Sequence, residues 1–235
     1  MTTVLFWDID GTLLSTARAG VFALEEAARE VCGANVDFAS LETAGLTDWE
    51  VALLSIRSAG GEPTPERTSA FLRAYERHLP SRLHWRRGTI LPGVTEALDE
   101  LSRRPGLSNL LLTGNTRAGA RAKLSHYGLD HYFADGAFCE DGDDRPAIAR
   151  RALELARAQA DSAVEPEHVV VIGDTPLDVR CGLAIGARTL GVASGSYPEV
   201  VLAESGAWTT LPCLPPAAEL VDLLGLAEDG CSGER

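Results

Sequence analysis

The stretch VLFWDIDGTL, at residues 4–13, decides how the rest of the sequence is interpreted. Its first four residues form an unbroken apolar run, which is typical of a parallel strand covered by helices on both faces. Asp8 and Asp10 follow at once, and Gly11 then begins a turn. Ligands in open α/β sheets bind beyond the carboxyl ends of the strands. We therefore expect a buried strand that presents two carboxylates at the ligand-binding edge of a sheet.

Other short apolar runs repeat this pattern along the chain. Residues 110–112 lead into Thr113-Gly114-Asn115, and residues 169–172 lead into Gly173-Asp174-Thr175. Weaker strand candidates are residues 187–192 and 207–211, and helical segments at 146–159 and 177–186 lie between the strands. Strands that alternate with helices predict the α/β class, as a doubly wound, mostly parallel, Rossmann-like sheet.

A helical insertion follows the first strand. Residues 18–31 have an amphipathic helical pattern, Thr47 and Glu50 form a capping-box pair, and Thr64-Pro65 is typical of a helix start. Phe71, Tyr75 and Leu79 share one helix face. We expect a core at residues 1–15 and 91–226, a helical cap domain at 16–90, and a disordered tail at 227–235.

The acids at the strand ends predict a metal site. Asp8, Asp10, Asp174 and Asp178 would converge in one crevice and raise one another's pKa values. A hard divalent cation with oxygen ligands removes this repulsion, and Mg²⁺ suits a few carboxylates combined with a substrate phosphate. Thr113-Gly114-Asn115 would offer a hydroxyl and backbone N–H groups to anionic oxygens. The cofactor expected is therefore Mg²⁺.

Three motifs together resemble the haloacid dehalogenase superfamily. They are Asp8-Ile9-Asp10-Gly11-Thr12-Leu13, Thr113-Gly114-Asn115 and Gly173-Asp174-Thr175-Pro176-Leu177-Asp178, in the order that the superfamily shows. The insertion after the first motif is similar to that family's first-type cap domain, and the resemblance covers residues 3–224. It implies a phosphatase with a Rossmann-like core and a helical cap.

The resemblance also implies roles for individual residues. Asp8 would be the nucleophile that forms an aspartyl-phosphate, and Asp10 the general acid and then the base. Thr113 would hold the phosphoryl group. Substrate binding would involve Gly11, Thr12, Gly114 and Asn115, and the metal would be held by Asp8, Asp10, Asp174 and Asp178.

The third motif departs from the family pattern. Where a lysine near a proline is usual, this chain has Arg145-Pro146. Arg145 would begin a helix beside the strand ends and could clamp the phosphate and Asp8. The alternative is Lys123, the single lysine of the sequence. We favour Arg145 because of this position beside the strand ends, and an arginine can serve since the role requires only a positive charge.

The expected function is hydrolysis of a small phosphomonoester metabolite. Asp10 indicates phosphoryl transfer rather than dehalogenation, and residues 45–48 and 91–94 are similar to phosphoglycolate phosphatases. Alternatives are a phosphomutase, a nucleotide or pyrophosphate hydrolase of the same fold, and an inactive module that binds a phosphorylated ligand. Whether Thr47, Asp48 or Trp49 contacts the substrate is left open.

Composition limits the partners. The 235 residues carry 21 basic and 34 acidic side chains, a net charge of −13, which disfavours nucleic acid and anionic lipid. Five separated cysteines support neither a disulfide framework nor a zinc site. Neither a signal peptide nor a membrane span is indicated, so we expect a cytoplasmic protein. The sequence does not decide between a monomer and a homodimer.

Overall fold

The computed structural model describes residues 2–160 and 163–226, so the predicted tail at 227–235 lies outside it. Its strands are β1 (Thr3–Trp7), β2 (Leu14–Ser15), β3 (Thr89–Ile90), β4 (Leu107–Leu112), β5 (Gly136–Ala137), β6 (Val169–Gly173), β7 (Arg188–Val192) and β8 (Thr209–Leu211). Its α-helices are α1 (Ala19–Cys32), α2 (Asp48–Ser58), α3 (Pro65–Trp85), α4 (Val94–Ser102), α5 (Arg117–Tyr127), α6 (Arg145–Gln159), α7 (Pro176–Ala184), α8 (Glu199–Glu204) and α9 (Ala217–Leu224).

Six strands form one parallel sheet in the order β5-β4-β1-β6-β7-β8. The chain moves outward from β1 through β4 and β5, then crosses to β6 and continues through β7 to β8. The strand order therefore reverses between β1 and β6, which is the place where such sheets bind ligands. The predicted α/β fold class is confirmed. Among the described helices, none is long and apolar enough to cross a membrane.

The first strand shows why the sheet must be buried on both faces. Leu5 and Trp7 belong to a cluster that includes residues of α4 and α9, whereas Val4 and Phe6 belong to a cluster with residues of α6 and α7. Successive side chains of a strand point to opposite faces. An unbroken apolar run is therefore what a strand in the middle of this three-layered core requires.

The insertion after β1 has its own apolar cluster, formed mainly by α1, α2 and α3. Phe71, Tyr75 and Leu79, which the pattern placed on one face of α3, are all buried in that cluster. The chain enters the helical insertion just after β2 and leaves it just before β3, and these two short strands pair with each other in antiparallel fashion. The exact division at residues 16–90 stays a prediction.

Several predicted boundaries needed correction. The strand expected at 110–112 already begins at Leu107, and the strand expected at 207–211 is limited to Thr209–Leu211. The helix expected at 177–186 spans Pro176–Ala184. Its end is set by Gly186, whose φ of +69° is incompatible with a continuing helix.

Candidate active site

Three carboxylates meet at the reversal of the strand order. Asp8 follows β1, Asp174 follows the neighbouring β6, and Asp178 lies in the first turn of α7. All three are buried, and one oxygen of each lies within 4.8 Å of the others. The Asp10 side chain, which the sequence also predicted as a metal ligand, is not in this group, and its Oδ2 bonds to Asn115 and Lys123.

The cluster is electrostatically unfavourable by itself. Burial, reinforced by Asp178, raises the pKa of Asp8 from 3.8 to about 7, although Arg145 opposes this shift. Burial, followed by repulsion from Asp178 and Asp8, raises the pKa of Asp174 from 3.8 to about 8. A divalent cation would relieve both effects, and the all-oxygen donor set is the one that Mg²⁺ prefers. The residues therefore fit the expected metal.

Two glycines leave room for the Asp174 carboxylate. A Cβ at Gly11, where φ is +84°, would lie 2.4 Å from Asp174 Oδ2, and a Cβ at Gly195 would lie 1.7 Å from the same atom. The Thr12 hydroxyl donates to Asp174 Oδ1 at 3.1 Å. Thr12 was expected to bind substrate. The structure places its hydroxyl on the predicted metal ligand Asp174, and Thr12 itself is not among the residues that line the cavity.

Gly195→Ala is predicted to displace Asp174, because the added methyl group occupies the position of Oδ2. We expect the Mg²⁺ concentration for half-maximal activity to rise by about tenfold or more, as for other changes around a metal ligand. Mg²⁺ titration of phosphate release measures this. The control is Gly60→Ala, where a Cβ meets no atom within 4 Å but the φ of +75° strains an alanine. It should lower stability and leave the Mg²⁺ requirement unchanged. An unchanged Mg²⁺ requirement in Gly195→Ala would contradict the assignment of Asp174.

The stability of the metal-free protein is predicted to fall as the pH rises. Because the folded-state pKa values of Asp8 and Asp174 lie above their ordinary 3.8, the folded protein binds the extra protons. The stabilisation that comes from binding these protons is complete below about pH 4, and it is lost as the pH rises through about 7 to 8. Melting temperatures in EDTA should therefore fall between about pH 5 and pH 8.5, and Mg²⁺ should stabilise the protein more at the higher pH. An equal rise in melting temperature with Mg²⁺ at the lower and the higher pH would contradict this account.

Arg145 lies where the sequence placed the favoured cation. It begins α6, is buried, and brings Nη1 within 3.6 Å of Asp8 Oδ1 while Nη2 donates to Asp178 Oδ1. Asp144 caps the same helix by accepting from the Ala147 amide, which fixes the helix start at this point. Arg145 thus neutralises two of the three clustered acids.

Lys123 is also in the site, but on a different acid. Its Nζ donates to Asp10 Oδ2 and to Asn115 Oδ1, both at 2.5 Å, and its side chain is only 5% exposed. Burial alone would lower the pKa of Lys123, but the neighbouring Asp10 and Tyr75 outweigh it and raise the pKa. The ammonium therefore stays charged. Both residues that the sequence offered as the cation of the third motif therefore lie in the site. Arg145 pairs with Asp8 and Asp178, and Lys123 pairs with Asp10.

The segment after β4 links the two aspartates. The Thr113 hydroxyl lies near the Asp8 carboxylate, whose pKa it lowers, and it accepts from Asn115 Nδ2 at 2.8 Å. The same Nδ2 donates to Asp10 Oδ2 at 3.0 Å. Asn115 therefore serves as a bridge between Asp10, Lys123 and Thr113, and its orientation is fixed on both sides of the amide.

A cavity of about 480 Å³ lies between the acids and the helical insertion. Among the three cap residues left open by the sequence, Asp48 lines this cavity, whereas Thr47 and Trp49 do not. The Asp48 amide donates to the Gly114 carbonyl at 2.7 Å, and its Oδ2 accepts from the Thr116 amide at 2.7 Å. The insertion is thus hydrogen-bonded directly to the segment after β4.

Sequence reasoning missed two parts of the site. Arg18 lies at the cavity next to Ala17, and both have a positive φ, of +69° and +47°. Ser194, Gly195 and Ser196 line the cavity from the end of β7, and the Ser194 hydroxyl donates to the Gly11 carbonyl at 2.7 Å. The rule that ligands bind at strand ends could have indicated this second segment, since β7 was predicted.

The haloacid dehalogenase-like hydrolase model matches residues 2–186. The chain belongs to this family. Tyrosine-protein kinase PtkA from Mycobacterium tuberculosis is 27% identical over 226 residues, which cover 95% of this chain and 72% of that protein. Probable phosphatase IndB from Dickeya dadantii is 28% identical over 200 residues, 84% of each chain. The crystal structure of a predicted phosphoglycolate phosphatase from Haemophilus somnus shares the fold, with a TM-score of 0.71, 17% identity and coverage of 94% and 97%.

The family and enzyme-class predictions are confirmed. The family match includes all three sequence motifs, because Asp8, Thr113 and Asp178 fall within residues 2–186. With phosphatases among its relatives, this haloacid dehalogenase-like chain is a hydrolase of the phosphatase type. The roles of its individual residues remain a proposal.

Proposed function

We propose that the protein is a Mg²⁺-dependent phosphatase that hydrolyses a small phosphomonoester through an aspartyl-phosphate on Asp8. The observation that carries the proposal is that Asp8 lines the cavity as a member of the buried acid cluster, and that Asp10 lines the same cavity. An anionic nucleophile can approach a phosphate dianion only where fixed positive charge offsets the repulsion. Arg145 and a metal at the acid cluster provide that charge.

In the first step, an Asp8 oxygen attacks phosphorus and the bond to the ester oxygen breaks. The Thr113 hydroxyl and the Arg145 guanidinium hold the Asp8 carboxylate in place. Asp10 gives its proton to the departing alkoxide, which leaves as the alcohol. In the second step, Asp10 takes a proton from water as the water oxygen attacks phosphorus, and phosphate and the free Asp8 carboxylate are released.

The metal would be held by Asp8, Asp174 and the backbone carbonyl of Asp10, with Asp178 in support. When bound, Mg²⁺ supplies charge neutralisation for the phosphoryl oxygens. Asp178 already accepts from the Thr175 amide and hydroxyl, at 3.0 and 2.7 Å, as well as from Arg145. Its position in the cluster is therefore fixed by α7.

Lys123 acts on Asp10 in this proposal. Two fixed donors, the Lys123 ammonium and Asn115 Nδ2, both bind Asp10 Oδ2. This arrangement directs the other oxygen, Oδ1, toward the cavity and the leaving group. Lys123 is thus a positioning residue for the general acid, and Arg145 is the cation beside the nucleophile.

The helical insertion is proposed to act as a cap that opens for substrate and closes over it. The contacts that would break on opening include the two hydrogen bonds of Asp48 to Gly114 and Thr116 and the edge contact of His84 with His126. Closure would exclude bulk water from Asp8.

The experiment that tests the proposal measures phosphate release from a panel of small phosphomonoesters, phosphoglycolate included, with and without Mg²⁺. We expect release that requires Mg²⁺. Conversion of a sugar phosphate to its isomer without phosphate release would indicate a mutase instead, and release only from nucleotides or pyrophosphate would indicate those hydrolases. If the folded protein binds phosphate esters without turning any of them over, the proposal that it is an enzyme is contradicted.

A further inference from the structure

Much of the cavity lining outside the acid cluster is aliphatic. This apolar part consists of Leu14 of β2, Val21 and Leu24 of α1, Leu46, and Val51 in the first turn of α2. The lining also includes uncharged hydroxyl side chains, among them Thr16, Thr43 and Tyr75. Val21, Leu24, Leu46 and Val51 are also part of the apolar cluster of the cap or pack against it. The space that a leaving group would occupy is therefore bounded by the apolar interior of the cap.

Most of the positively charged side chains at the cavity already pair with carboxylates. Within the part of the chain that the structure describes, the cations lining it are Arg18, Lys123 and Arg145. Lys123 pairs with Asp10, and Arg145 pairs with Asp8 and Asp178. Arg18 is exposed and stacks over the Phe22 ring at 5.8 Å, so it lies at the rim. The inner wall thus carries no cation for a second anionic group.

The remaining charge in the wall is negative. Asp48 lines the cavity and is held there by the Thr116 amide. A carboxylate or second phosphate on the leaving group would meet aliphatic carbon, uncharged hydroxyl groups and this carboxylate. None of these neutralises a negative charge, and an unpaired buried charge is strongly unfavourable. The cavity volume of about 480 Å³ lies within the ordinary range for small-molecule sites and exceeds what a two-carbon acid requires.

We propose that the substrate is the phosphate ester of an uncharged, largely apolar alcohol or phenol, and that Val21, Leu24 and Val51 bind its organic part. This inference rests on the proposed phosphatase function, since it concerns the leaving group of that reaction. It differs from the phosphoglycolate-like expectation, because phosphoglycolate carries a carboxylate where the wall offers no cation.

The test uses two phosphonates of equal shape, whose C–P bond the reaction does not break. They are 3-methylbutylphosphonate and 2-carboxyethylphosphonate, which differ by an isopropyl group in place of a carboxylate. Calorimetric titration in Mg²⁺ should show at least about tenfold tighter binding of the isopropyl compound. Equal affinities, or tighter binding of the carboxylate, would overturn the inference. This readout stands even if no ester is hydrolysed, the result that would contradict the phosphatase proposal.

A charge introduced into the wall should reverse the preference. Val21→Arg places a cation on the cavity-facing part of α1, and we expect the affinity ratio of the two phosphonates to fall by about tenfold or to invert. Val31→Arg is the matched control. It makes the same change on the same helix at another partly buried valine that does not line the cavity. A ratio that both variants leave at the wild-type value would also overturn the inference.

Turnover gives an independent measure with the unchanged enzyme. Across ethyl, propyl and butyl phosphate, kcat/KM should rise by about three- to fourfold per methylene, the effect of transferring one CH₂ from water to an apolar wall. Phosphoglycolate should be a poorer substrate than propyl phosphate by about tenfold or more. A flat series, or phosphoglycolate as the preferred substrate, would count against an apolar leaving group.

Discussion

Asp8→Asn is expected to lower phosphate release by at least about four orders of magnitude, the loss typical of removing a covalent nucleophile. The amide oxygen is a far poorer nucleophile than the carboxylate, and no other described carboxylate occupies the same position at the floor of the cavity. Steady-state release with saturating Mg²⁺ measures the effect. Activity within tenfold of wild type would contradict the role of Asp8.

The same variant supplies its own folding control. Since burial and Asp178 raise the pKa of Asp8, replacing it by a neutral amide removes repulsion within the cluster. We therefore expect metal-free Asp8→Asn to melt at a higher temperature than wild type at about pH 8. Asp222→Asn, on an exposed position of α9, is the matched variant and should change neither activity nor melting temperature.

Lys123→Met is expected to lower kcat/KM, which reports the first step, by about 100-fold for alkyl phosphates but by less than about fivefold for p-nitrophenyl phosphate. The reason is that nitrophenolate leaves without a proton, whereas an alkoxide requires the general acid that Lys123 positions. Methionine matches the lysine stem in length, so the packing around this buried position is largely kept. The measurement is the ratio of the two kcat/KM values.

The control for this ratio is Arg121→Met, which removes an exposed cation from the same helix α5. It should leave both substrates unaffected. Asp10→Asn should show the same leaving-group dependence in its first step as Lys123→Met. An equal loss on both substrates in Lys123→Met would mean that Lys123 acts on phosphate binding or folding rather than through Asp10.

Much of the core of the site could be predicted from the sequence because strand ends are local features. Asp8 and Asp174 each follow an apolar run, and adjacent parallel strands bring such ends together. The capping box at Thr47 was also local and is present. Features that depend on only a few neighbouring residues could therefore be predicted from the chain.

The parts that were missed depend on packing between distant segments. Whether Arg145 or Lys123 reaches Asp8 depends on how α5 and α6 lie on the sheet. In the structure α6 brings Arg145 to Asp8, and α5 brings Lys123 to Asp10. The pair β2 and β3 joins residues about 75 positions apart and consists of two residues each, too short for any periodicity. Arg18 reaches the cavity through left-handed backbone at Ala17 and Arg18, which nothing in these residue types requires.

The central claim is covalent phosphorylation of Asp8, and Asp10→Asn with p-nitrophenyl phosphate tests it most directly. Loss of Asp10 leaves formation of the intermediate fast for this substrate but slows its hydrolysis, which needs a base. Rapid acid quench should show a burst of one nitrophenolate per enzyme, and peptide mass analysis should find one phosphoryl group on Asp8. No burst, or a phosphoryl group on another residue such as Thr113, would contradict the account.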